Sequence, residues 1–111
     1  MKIDFSAIDW ETSPLGSRFK AIETGRQQRV RLVEINRADG EAEWCRNGHV
    51  GYVIEGELEI EFRDRKIVFR KGDGILIAAG PDEEHKPRPI SQKVLLFLVE
   101  STESGSDRVF R

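Results

Sequence analysis

The chain has 111 residues, 38% of them hydrophobic and 34% charged, which fits one domain spanning 1–111 with a modest core. Its 18 basic and 20 acidic side chains leave a net charge of −2, so nothing in the balance argues for nucleic acid or an anionic membrane as partner. Cys45 is the one cysteine, which excludes an intramolecular disulfide framework. The segment Met1-Lys2-Ile3-Asp4-Phe5 lacks the apolar run of a signal peptide, and Val94 to Val99 is too short to cross a bilayer. A cytoplasmic protein is expected.

In chain order, Ile3 to Trp10 is rich in large apolar groups. Left exposed, Phe5, Ile8 and Trp10 would make a patch that monomers rarely tolerate. The expectation is a homodimer with Trp10 at or near its interface; the alternative is that residues 1–12 close their own barrel as an extra strand. Alternation of apolar residues marks a strand near residues 28 to 36. Leu58, Ile60 and Phe62 then alternate with Glu57, Glu59 and Glu61, the pattern of a half-buried strand. Lys66 to Arg70 follows, and a tight turn at Asp64-Arg65 would set Ile60 opposite Phe69, Phe62 opposite Ile67 and Glu59 opposite Arg70. Asp-Arg is a poor pair for a primed turn.

Lys71-Gly72-Asp73-Gly74 reads as a turn, Ile75 to Ala78 as a buried strand and Lys93 to Glu100 as another. Between these strands, Gly80 to Pro89 holds three prolines, reads as neither helix nor central strand, and is expected to be an ordered loop at a barrel mouth. Residues 101–111 are a polar tail in which Val109 and Phe110 could dock. Seven to nine short strands with glycine turns imply an all-β sandwich or barrel. Its expected core is Leu58, Ile60, Phe62, Ile67, Phe69, Ile75, Ile77, Leu96 and Leu98.

The block from His49 to His85 resembles the cupin superfamily. Tyr52-Val53-Ile54-Glu55-Gly56 resembles the end of the first cupin motif, and Gly72-Asp73, Ala78 and Gly80 resemble the second, with alanine where proline is usual. The resemblance covers roughly residues 30 to 100 and implies a cupin-like jelly roll, a double-stranded antiparallel barrel with a lumen open at one end. It also points to a dimer. Counting back from Gly56 puts His49 at the motif's glutamate position, and Glu43 and Cys45 at its histidine positions. His85 falls two residues beyond the last histidine position.

Cupin metal sites typically use three histidines and a carboxylate, whereas this chain has two histidines in all. The candidate ligands are therefore His49, His85, Cys45 and Glu43, with Glu43 and Cys45 sharing a strand face. All are legitimate donors for zinc, iron, manganese, nickel or copper, and the cysteine favours zinc. Trp44 and Tyr52 are candidate pocket walls for a bound small molecule. Alternatively, His49 is a lumen histidine bonded to a neighbour, and His85 an exposed one with its pKa lifted by Asp82, Glu83 and Glu84. A Cys45/His49 nucleophile–base pair has no orienting third group in the sequence. The function expected is small-molecule binding in the lumen, with or without a divalent metal. A metal-dependent enzyme of oxygenase or isomerase type, and a dimeric structural or regulatory module with a vestigial site, are the alternatives.

Overall fold

The computed structural model describes residues 1–101, so Val109 and Phe110 lie outside the described residues. Nine strands follow in chain order: β1 (Glu11–Thr12), β2 (Arg18–Glu23), β3 (Gln28–Asn36), β4 (His49–Glu55), β5 (Glu57–Phe62), β6 (Lys66–Arg70), β7 (Gly74–Ile77), β8 (His85–Pro89) and β9 (Lys93–Ser101). Strand makes up 53% and helix 6% of the described residues, so the period-two alternation does dictate the class. The helical part is two 3-10 turns, Phe5–Ala7 and Pro81–Glu83. A six-stranded sheet, ordered β1-β2-β3-β9-β4-β7, faces a three-stranded sheet, β6-β5-β8, and every pairing is antiparallel. This is a jelly roll.

The core lies between the two inner faces. Val33 and Ile35 of β3, Val94, Leu96 and Leu98 of β9, Val53 of β4 and Ile75 and Ile77 of β7 meet Leu58, Ile60 and Phe62 of β5. Gly56 turns β4 into β5 at φ +86°, where a Cβ would stand 2.3 Å from the Lys93 carbonyl oxygen, so no other residue fits without displacement.

Three expectations need correction. The β5–β6 hairpin pairs Ile60 with Ile67, Leu58 with Phe69 and Glu57 with Arg70, two residues away from the expected register. The Phe62 N–H bonds to the Arg65 carbonyl, so the turn is Arg63-Asp64, and neither residue has positive φ. A slip of two preserves which face each side chain occupies, which is why the strands themselves are where the alternation puts them. Ile67 is 38% exposed and outside the core, and Phe69 is only partly buried, because β6 is an edge strand.

The stretch from Gly80 to Pro89 is no loop throughout: it contains a 3-10 turn and then β8, at the edge of the smaller sheet. His85 exchanges both main-chain hydrogen bonds with Cys45. By alternation the missing N–H groups of Pro87 and Pro89 point to that same outer side, away from β5, so the prolines cost no ladder bond.

The N-terminal segment lies on its own barrel. Phe5 packs edge-on against Phe97 at 6.4 Å, Lys20 Nζ donates to the Phe5 carbonyl at 2.7 Å, and β1 extends the sheet beside β2. Trp10 is half-buried beneath Arg18 and Lys20.

Candidate metal centre

Alternation along β4 sends His49, Gly51 and Val53 inward and Val50 and Tyr52 outward. Cys45 and His85 form an isolated antiparallel bridge, with main-chain bonds of 2.7 and 2.9 Å. Directly opposed residues of such a pair project to one face, so the thiol and the second imidazole are neighbours. Cys45, His49 and His85 are 2%, 1% and 0% exposed, and one donor atom from each lies within 4.8 Å of the others. The two imidazoles stand edge to face with centroids 5.1 Å apart.

The ring tautomers follow from what each Nδ1 faces. His49 Nδ1 donates to Glu100 Oε2 at 2.8 Å, and His85 Nδ1 donates to the Glu83 carbonyl at 2.7 Å. An acceptor at Nδ1 requires the proton there, so in each neutral ring the lone pair sits on Nε2. His49 Nε2 lies 3.9 Å from Cys45 Sγ, and the Asn47 N–H donates to that sulfur at 3.4 Å, which favours negative charge on it. Burial lowers the pKa of His85, aided by the nearby His49 and only partly opposed by the Glu83 carbonyl, so the ring is held neutral. The expected exposed, pKa-raised His85 is not what the chain forms.

Glu100 is the residue the sequence reading missed. Burial alone would raise its carboxyl; hydrogen bonds from His49 and Arg31 and the Arg31 charge outweigh that and bring it down to about 2. Arg31 Nε and Nη2 clamp it at 2.6 and 2.8 Å, and Arg29 Nη2 adds a third contact at 3.3 Å. A charged pair at inward positions of β3 and β9 breaks an otherwise apolar alternation. That break is the signal by which it was legible.

The remaining candidates are elsewhere. Glu43 is exposed and in no strand, so it shares no strand face with Cys45 and brings no carboxylate to the cluster. Tyr52 is 49% exposed on the outer face of β4, where alternation must put it. Trp44 is half-buried, stacked at 3.7 Å on the Arg63 guanidinium and 4.9 Å from Lys86 Nζ. Glu84 accepts from Arg46 at 2.8 Å and Arg63 at 2.7 Å, bonds that lower its pKa and pin the turn before His85. A surface groove of about 360 Å³ beside Arg37, Glu41, Glu61, Lys86 and Arg88 is separate from the histidines.

Donors bound tetrahedrally at about 2.0–2.3 Å stand roughly 3.4–3.7 Å apart. The observed 3.9 Å, and a spread within 4.8 Å, therefore need closure of at most about 1.4 Å. Two lone-pair nitrogens and a sulfur fit a borderline-soft divalent metal, and three protein donors leave a fourth position open. The same atoms also make a Cys45–His49–Glu100 chain, the orienting group absent from the sequence reading. The burial of Cys45 and the presence of His85 in the cluster fit a metal better than attack on a substrate.

No protein-family model and no curated protein sequence matches this chain. Solved structures do. A cupin-2 domain protein from Shewanella frigidimarina is 28% identical, with a TM-score of 0.61 over 75% of this chain and 78% of its own. A predicted oxalate decarboxylase from Thermotoga maritima superposes with a TM-score of 0.74 at 13% identity, over 91% of this chain and 98% of its own. A putative ethanolamine utilization protein Q from Salmonella typhimurium gives 0.72 at 17% identity, over 91% and 85%. By fold, the chain is a member of the cupin superfamily.

Proposed function

We propose that the protein binds a small molecule in its lumen through a divalent metal held by Cys45, His49 and His85. The observation that carries this is the convergence of three buried donors within 4.8 Å, two of them imidazoles whose proton is already committed at Nδ1. Zinc suits a mixed thiolate and imidazole set best. The fourth position takes the ligand, and likeness to a predicted oxalate decarboxylase supports a small polar one. A reducing cytoplasm, which keeps Cys45 a thiol, is the compartment this reading assigns. Elemental analysis of protein purified without a chelating tag tests it. One transition metal per chain is expected; protein that holds none, even after incubation with zinc and desalting, defeats the reading.

A further inference from the structure

Arg31 is a fully enclosed arginine, 0% exposed, on the inner face of β3. Its Nε and Nη2 are spent on Glu100, but Nη1 is buried with no hydrogen-bond partner among the described residues. Arg29, two residues earlier on the same face, grips the same Glu100 oxygen through Nη2, and its Nε is likewise buried and unpartnered. Two guanidinium groups thus share one carboxylate. Glu23, opposite Arg29 in β2, is exposed and forms no ion pair among the described residues. His49 contributes no negative charge, so among the described residues the cluster carries a net cation in a setting where an uncompensated charge is costly. Orphan donors and surplus positive charge at one place define what complements them.

We propose that Arg31 Nη1, with Arg29, is a binding site for a compact, singly charged anion at the histidine end of the lumen. Its chemistry is that of a carboxylate group or a halide, since two guanidinium groups sharing one carboxylate leave a single positive charge to be matched. The site lies on the Nδ1 side of His49, through Glu100, and so is distinct from the Nε2 side proposed for the metal. It does not need the metal to form.

The test uses full-length, chelator-treated protein, so that its failure leaves the metal reading untouched. Thermal melts are recorded against sodium formate, sodium bromide and sodium sulfate at matched ionic strength. A saturable rise in Tm with formate or bromide, but not with sulfate, is expected. Response to formate alone marks the carboxylate of a ligand, whereas response to bromide as well marks an inorganic counter-ion. Crystals grown with bromide should show an anomalous peak within hydrogen-bonding distance of Arg31 Nη1. Arg29→Ala, which leaves the Arg31–Glu100 clamp intact, should raise the anion midpoint about tenfold, the loss of one charge-assisted contact. An equal, unsaturating response to all three salts, a water molecule in place of the peak, or an unchanged midpoint in Arg29→Ala overturns the proposal.

Discussion

At the scale of single residues, the site is a set of committed protons. Replacing Glu100 with Gln removes the negative charge that fixes the His49 tautomer and sets an amide NH2 beside an oxygen where the carboxylate had two acceptors, and zinc affinity should fall about 10–100-fold, the usual worth of such orienting partners. Cys45→Ser removes a donor outright and should cost at least as much; competition with a chromophoric chelator measures both. The pH dependence has one sign. The folded pKa of Glu100 lies near 2 and that of His85 below its ordinary value, so the unfolded chain binds more protons at each. Stability is therefore full above about pH 6.5 and is lost as pH falls, first through His85 and then, between about pH 4.5 and 2, through Glu100. Glu100 alone contributes on the order of 3 kcal/mol. Thermal melts of metal-free protein should show Tm falling across both windows; a Tm that rises on acidification from pH 6.5 contradicts the assignment.

At the scale of elements, strands were legible because alternation is local, whereas what pairs them is not. Residues 57–62 and 66–70 could be read directly, yet the hairpin register could not, since moving the turn from Asp64-Arg65 to Arg63-Asp64 leaves every face unchanged. Spacing from Gly56 puts His49 at a motif position, and spacing from Gly80 puts His85 two residues beyond one. That Glu43 turns away while Glu100 arrives from β9 depends on a sheet order no local pattern encodes. Burial follows the same division. Leu58→Ala, at 0% exposure between two partner strands, should cost about 2–5 kcal/mol, and Phe69→Ala, on the edge strand, distinctly less. Urea titration ranks them, and equal losses would place β6 deeper than it lies here. Gly56→Ala should also destabilise, by about 1–3 kcal/mol, because its φ is +86° and the Lys93 carbonyl blocks the Cβ.

At the scale of the whole molecule, the described residues include no helix long and apolar enough to cross a membrane. The homodimer expected from the sequence is a proposal, and we propose the outer face of β4 and β7, in place of Trp10, as its contact. There Val50 and Leu76, paired across strands, are 55% and 84% exposed, and Tyr52 beside them is 49% exposed. Light scattering should give twice the chain mass, reverting to one in Leu76→Glu; a monomeric wild type at high micromolar concentration removes the dimer.

The central claim is that one sulfur and two imidazoles from this chain bind one metal ion. X-ray absorption at the zinc edge of the loaded protein reads that donor set directly. One sulfur at about 2.3 Å and two imidazole nitrogens at about 2.0–2.1 Å are predicted, with the sulfur lost in Cys45→Ser. A shell of light atoms alone in the wild type, unchanged by that substitution, would contradict it.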